Sequence, residues 1–473
     1  MAASVVQALG WFPDGDVITK TRDASLYVAA AGYDGEDRIS ALGDHLLRRI
    51  VSRLPVKDAA RTAALASRWR HLWRCTPLVM YDAHLLPASV AAVARILADH
   101  PGPFRTVSVA HCDFASREHR ELAGWPRLLA AKGVQDLVLV NKPADYQHLP
   151  NLPAGILLCA SLRRLFLGFW RFPNTGAGPS IGFPHLQELS VFGTDMAGRD
   201  LDHLLASSPV LDTLALILSR SCERIHLRSR SLNRVLLWHC FVDEVVVDSP
   251  LLERLILWRT SVGEDDAVAV RVKIDRAPKL RVLGYLEPRV HRLQIGQNVI
   301  KPDTKASPST VVPSVTTLAL KVNFGVLEEV KMLNSILRCF PNVDTLHIES
   351  VIAADDKATG RFPAKFWEEA HPIKCVKSQV RKMIIHEFRG EQSEIDFLRF
   401  VGRRAEKLRA LVGVITKEMV ASAYKVNEVI AKAVALSRGR FACNGSVLVV
   451  GPRVENCWSF RRASDPSVND PFD

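Results

Sequence analysis

One six-residue pattern recurs through this chain and restricts its architecture more than any other feature. The pattern is apolar, two variable residues, apolar, one variable residue, apolar. It reads FRTVSV at Phe104, VQDLVLV at Val134, LRRLFL at Leu162, LQELSV at Leu186, LDTLAL at Leu211, LNRVLL at Leu232, LERLIL at Leu252 and LRVLGY at Leu280. Looser copies are VTTLAL at Val315, VDTLHI at Val343 and VRKMII at Val380. One unit of this size cannot bury its own apolar side chains, so each needs the unit before and the unit after it. The expected product is a curved stack of parallel strands with helices or irregular turns on the outer side.

The punctuation supports a repeat. Ser207-Ser208-Pro209, Asp248-Ser249-Pro250 and Arg276-Ala277-Pro278 each precede a copy, as do the prolines of GFPHLQEL and CFPNVDTL. Proline biases the residue before it toward extended backbone and ends the preceding segment. Most intervals between copies fall near the roughly 20–29 residues of a leucine-rich repeat. Residues 298–314, NVIKPDTKASPSTVVPS, read as a polar, proline-bearing linker or loop. Beyond Val380 the pattern changes to strand, glycine turn, helix and strand, with Ile395, Leu398, Phe400, Val401 and Ala405 suited to the core of that helix. A further helix from Val420, a strand in GSVLVVG and a polar tail follow.

Upstream lies DRISALGDHLLRRIVSRLPVKDAARTAALASRWRHLW, Asp37–Trp73. Ile39, Leu42, Leu46, Ile50 and Leu54 recur every three or four residues and predict one helical stripe. Leu54-Pro55 ends it. A second stripe runs through Ala60, Ala64 or Leu65, Trp69, and Leu72 or Trp73, with Lys57, Arg61, Arg68 and Arg70 on its other face. So small a module borrows core from a neighbour or a partner.

This segment resembles a plant-type F-box over its whole length. The residues that carry the likeness are Asp37-Arg38-Ile39-Ser40, Leu42, Asp44, Leu46-Leu47, Ser52, the run from Leu54 to Thr62, Ser67, Arg68, Trp69-Arg70 and Leu72-Trp73. CVKSQVRKMIIHEFRGEQSEIDFLRF resembles an FBD segment. The resemblance implies an N-terminal helical F-box followed by an irregular leucine-rich-repeat solenoid with parallel strands and an FBD-like end, an α/β repeat architecture. The expected boundaries are a leader at 1–36, the F-box at 37–76, repeats at 77–297, the linker at 298–314, continued repeats at 315–366, the FBD-like segment at 367–420, and a helix, strand and tail at 421–473. It further implies a non-catalytic adaptor of an SCF-type ubiquitin ligase. The F-box would dock on a Skp-type subunit, reaching a cullin scaffold indirectly, and the repeats would bind a target protein. A repeat scaffold that assembles no ligase is the alternative. The Skp-contact candidates are Leu42, Leu46, Ile50, Leu54, Pro55, Val56, Leu65, Trp69 and Trp73. Where the family has proline in the first helical turn, this chain has Gly43, which predicts a helix start weaker by about 1 kcal/mol.

Strand alternation supplies candidates for target binding. If the leucines point inward, the residues between them face the concave side. Those are Arg164, Phe166, Glu188, Arg234, Trp238, Arg254 and Trp258. Trp238 and Trp258 hold equivalent places in successive units, as do Arg234 and Arg254, which predicts a basic and aromatic patch of the types enriched at binding hot spots.

Other functions find little support. The net charge of +12, from 62 basic and 50 acidic residues, is spread along the chain, so nucleic acid is not the favoured partner. The nine cysteines form no CxxC pair and suit a reducing compartment, cytoplasmic or nuclear. No phosphate loop, cofactor motif, metal-ligand spacing or membrane-length apolar run is present. His111-Cys112-Asp113 cannot converge on one metal, because adjacent residues on a strand point to opposite sides.

Overall fold

The computed structural model describes residues 37–85, 90–114, 122–141, 148–176, 182–261, 269–352, 366–367, 373–437, 446–452 and 463–472. The expected leader at 1–36 lies outside them. The chain divides into two compact units, one of Met1–Thr194 with Trp458–Pro471 and one of Asp195–Cys457 with Phe472–Asp473.

The first unit opens with three helices, α1 (Asp44–Val51), α2 (Val56–Thr62) and α3 (Ser67–Cys75). The second predicted helix is therefore two. Ala63–Ala66 break it, Ala66 is extended at φ −163° and ψ 166°, and the Thr62 hydroxyl bonds the Ala59 carbonyl at 2.6 Å. The break frees Trp69 and Leu72 to turn inward. Strands β1 (Leu78–Tyr81), β2 (Phe104–Val109), β3 (Asp136–Val140), β4 (Arg164–Gly168) and β5 (Glu188–Phe192) then pair in sequence order, all parallel. Helices α4 (Val90–Asp99) and α5 (Trp125–Ala131) fill crossovers between them.

The second unit contributes β6 (Thr213–Ile217), β7 (Arg224–Arg228), β8 (Arg234–Trp238), β9 (Glu244–Asp248), β10 (Arg254–Trp258), β11 (Val270–Arg276) and β12 (Val282–Leu286). It continues with β13 (His291–Ile295), β14 (Asn298–Val299), β15 (Thr317–Val322), β16 (Thr345–Ser350), β17 (Lys382–Phe388), β18 (Ala410–Ile415) and β19 (Ser446–Val450). Strands β6, β8, β10, β12, β15, β16, β17, β18 and β19 form the main parallel sheet in that order. Its helices are α6 (Gly198–Ala206), α7 (Leu327–Cys339), α8 (Lys374–Ser378), α9 (Gln392–Arg404), α10 (Lys417–Val420) and α11 (Ala423–Ser437).

Each copy of the repeated pattern becomes a strand of a main sheet, and its leucines form the core. Leu165, Leu189, Leu214, Leu237, Leu255, Leu283 and Leu318 are all at most 1% exposed. Sequence reading did not anticipate a second sheet. Strands β7, β9, β11 and β13 pair in parallel, and β14 closes the edge antiparallel. Copies only 20 or 21 residues apart leave no room for a helical return, so the chain comes back as a short alternating strand such as RIHLR or EVVVD.

The corner after four of the strands is a repeated device. Phe169, Leu218, His239 and Arg259 directly follow β4, β6, β8 and β10, with φ between 49° and 60°. This left-handed conformation costs a non-glycine residue about 1–2 kcal/mol. A ladder bond helps offset it: the Phe169, Leu218 and His239 amides donate to the carbonyls of Phe192, Trp238 and Trp258 at 2.9, 2.8 and 2.8 Å.

Candidate functional site: the helical docking face

The three-helix module has a complete core of its own. Leu47 and Val51 of α1 meet α3, whose Trp69 and Leu72 are buried, and α2 adds Val56 and Ala59. Val56 at 6% and Trp69 at 4% exposure are therefore spent inside the module, and the expectation that they contact a partner is corrected. Each is covered by this chain's own residues, which leaves almost no surface for another chain.

Two further candidates join the module to the strands behind it. Pro55 is half-buried and bridges Val79 of β1 in parallel. Trp73 is half-buried against His100, ring centroids 4.6 Å apart. At the same joint a Cβ on Gly102 would lie 2.1 Å from the Arg74 carbonyl oxygen, so only glycine fits the approach. His100 is itself buried between Trp73 and Phe104. Burial, and then the Lys132 charge, push its pKa down from 6.5 to about 4, so it is neutral at physiological pH.

The remaining candidates face outward. Leu46, Ile50 and Leu65 are 38%, 41% and 67% exposed, and Ile39, absent from the contact candidates, is 57% exposed. Leu46 and Ile50, four residues apart on α1, share one face. Leu42 and Leu54 are half-buried at the two ends of that helix. The apolar stripe read from the sequence is thus the outward face of α1, while Leu47 and Val51 carry the inward one.

Sequence reading missed Arg68 as a positioning residue. Its guanidinium donates to the Asp44 carboxylate at 2.7 Å and to the Ser40 and Leu42 carbonyls at 2.8 Å each. It ties the turn before α1 to the start of α3, which fixes where Leu42 and Leu46 point. Only a planar five-donor fork can make this set.

Gly43 sits one position earlier than expected. It is the N-cap of α1, at φ −66° and ψ 153°, not a first-turn residue. Glycine is an accepted N-cap that loses only a few tenths of a kcal/mol to the best residues there, so the capping share of the expected penalty is small and what remains is glycine's larger unfolded-state entropy relative to proline. Asp44 still supplies first-turn negative charge.

The repeat candidates are placed as follows. Arg254 pairs in register with Arg234, and Trp258 with Trp238, so the two rows do lie side by side. The open patch expected of them does not exist at Trp238 or Arg254, which are 3% and 6% exposed. Arg234 bonds the Asp212 carboxylate and the Thr213 hydroxyl, and Arg164 holds Asp136 through two bonds of 2.8 and 2.9 Å. These arginines neutralise aspartates of neighbouring units. Phe166 is 7% exposed, Glu188 and Trp258 are half-buried, and Trp258 packs edge-to-face on Tyr285 at 4.8 Å. Among the described residues no cluster of three or more histidine, cysteine or acidic side chains is placed to hold a metal, and no helix is long and apolar enough to cross a membrane.

The chain thus joins a helical module that leaves leucine and isoleucine outward to a run of leucine-rich-repeat strands. Three stretches match family models: an F-box domain at residues 39–79, the leucine-rich repeats of FBD-associated F-box protein At5g56370 at 122–348, and an FBD at 368–412. The chain belongs to the F-box/FBD/LRR-repeat family. F-box/LRR-repeat protein At3g26922 of Arabidopsis thaliana is 33% identical over 236 residues, covering 48% of this chain and 69% of that relative. FBD-associated F-box protein At1g60410 from the same plant is 25% identical over 350 residues, 68% of this chain and 86% of the relative. With F-box/LRR-repeat protein At3g03360 of Arabidopsis the identity is 26% over 210 residues, 42% of each chain.

Proposed function

We propose that this chain is the target-receiving subunit of an SCF-type ubiquitin ligase. Its F-box docks on a Skp-type adaptor, which joins it to a cullin scaffold, and its repeats bind the protein to be modified. The observation that carries the reading is the outward set of Leu46, Ile50 and Leu65 on a module whose core is already closed by Leu47, Val51, Trp69 and Leu72. The exposed parts of these side chains add nothing to folding, and covering them contributes that fraction of the roughly 1.5–3 kcal/mol of full burial. The chain supplies no catalytic group in this reading, and the transfer chemistry belongs to other subunits. The alternative, a repeat scaffold that assembles no ligase, predicts a folded chain that recovers no Skp-type subunit. The test is affinity purification of the full chain and of a variant lacking residues 37–76, with the proteasome blocked. The full chain should bring down a Skp-type subunit and a cullin, and the deletion neither. Equal recovery from both would overturn the proposal.

A further inference from the structure

The repeats of the second unit turn two faces, and one is the leucine core. On the opposite face Ala215, Leu236, Ile256, Ala319, His347 and Ile384 occupy one row across neighbouring strands. None is more than 1% exposed, so this face is covered. One described side chain on it comes from far along the sequence. Phe472 is 0% exposed, its ring 5.1 Å from Tyr285 at an interplanar angle of 77° and 5.5 Å from His347 at 56°. Trp258 backs Tyr285 edge-on, and His386 stacks on His347 with ring nitrogens 3.1 Å apart. Five rings thus run from Trp258 through Tyr285, Phe472 and His347 to His386, and four of them belong to the repeat strands.

The strand side is built for a ring. Tyr285 projects where β12 is irregular: Leu283 pairs with Leu318 but Leu286 pairs with Leu320, so Gly284 and Tyr285 together oppose Ala319. The extra residue brings a tyrosine to a row that, His347 apart, is alanine, leucine or isoleucine, and a bulge commonly re-aims a side chain in this way. Edge-to-face contact with Tyr285 favours an aromatic occupant over an aliphatic one.

We propose that Tyr285 and His347 form a receptor for a phenylalanine carried by a peptide segment of the target protein, and that Phe472, which sits in a turn, is this chain's own occupant, which the target must displace. The inference rests on the reading that the repeats receive a target. Phe472 lies in the sequence Asp-Pro-Phe-Asp, so the peptide class it stands for is a proline-phenylalanine pair flanked by acidic residues. A tethered occupant competes at an effective concentration in the millimolar range. Weak targets are therefore excluded, and only segments that outcompete the chain's own phenylalanine are retained.

The test uses a fluorescent peptide of residues 463–473, ASDPSVNDPFD, titrated into the full chain and its variants and read by anisotropy. Phe472→Ala should bind the peptide at least ~10-fold more tightly than the wild type, whose site is occupied. The same peptide with alanine for phenylalanine should not bind. Phe472→Leu, which keeps an apolar side chain and loses the ring, should give an intermediate affinity and serves if the alanine variant folds poorly. Circular dichroism and binding to a Skp-type subunit monitor folding. Equal affinity for wild type and both variants, or undiminished binding of the phenylalanine-free peptide, overturns the self-occupancy and leaves the target-receiving role of the repeats untouched. A second arm asks whether excess peptide releases proteins held by the Phe472→Ala chain. Release supports the shared site. Tight peptide binding without release keeps the self-occupancy and removes the target from this face.

Discussion

Leu46 and Leu47 are chain neighbours with opposite fates, and they separate docking from folding. Leu47 is 0% exposed and Leu46 38%. Leu47→Ala empties part of the closed core, at a cost of about 2–5 kcal/mol in stability. Leu46→Ala gives up only the part of the side chain already covered, about 1–2 kcal/mol when full burial is scaled by area, so it should cost less stability than Leu47→Ala. Docking reverses the order. Scaling the roughly 1.5–3 kcal/mol of full burial by the exposed fractions of 38%, 41% and 67% gives about 0.6–1.1 kcal/mol for Leu46, about the same for Ile50 and about 1–2 for Leu65. Together these amount to about 2–4 kcal/mol, a dissociation constant weakened roughly 30- to 1000-fold in the triple alanine variant. Calorimetric titration with a Skp-type subunit reads the affinity, and urea unfolding reads the stability. A triple variant that binds within twofold of wild type would refute the reasoning. So would a Leu47→Ala chain with an unchanged unfolding midpoint.

Three further substitutions test the local physics. Gly43 already has φ −66°, the angle proline imposes, so Gly43→Pro should stabilise the chain by about 0.4–1 kcal/mol through the unfolded state, measured as a higher urea midpoint with unchanged slope. Arg259 is exposed at φ 53°. Arg259→Gly should be neutral or stabilise by up to about 1 kcal/mol, while Arg259→Val should destabilise by at least about that much, and equal effects would remove the strain argument. His100 is held neutral down to about pH 4 in the folded chain but takes a proton near 6.5 when unfolded. The unfolded state therefore binds more protons in that window, and the stability His100 contributes is complete above 6.5 and lost as pH falls toward 4. The loss is about 2 kcal/mol by pH 5, and His100→Phe should flatten that part of the stability-against-pH curve.

Much of this architecture can be read from the leucines, because a strand that buries alternate residues against its neighbours must repeat them at a fixed spacing. Each copy from Phe104 to Val380 marks a strand for that reason. What could not be read depends on contacts between distant residues. Whether α1 turns Leu46 or Leu47 inward depends on where Trp69 and Leu72 arrive. The Arg68 clamp needs the fold to bring Asp44, Ser40 and Leu42 together across more than twenty residues. The left-handed corners carry no glycine at Phe169, Leu218, His239 or Arg259, so composition conceals them. Two signals were present and went unread. One is the alternation in RIHLR, EVVVD and VRVKIDR that builds the second sheet. The other is Glu391 and Glu394, a capping box at the start of α9 in which the buried Glu394 also accepts the Ser350 hydroxyl at 2.5 Å. For target binding, alternation put Trp238 and Trp258 in one row, but it could not foresee that Phe472 would close over Tyr285 beside them.

The most direct test of the adaptor role is the titration of the unmodified full chain with a purified Skp-type subunit, read by calorimetry and by light scattering after size exclusion. A one-to-one complex that is lost in the Leu46, Ile50 and Leu65 triple variant is the predicted result. A folded chain that forms no complex at subunit concentrations of tens of micromolar would contradict it.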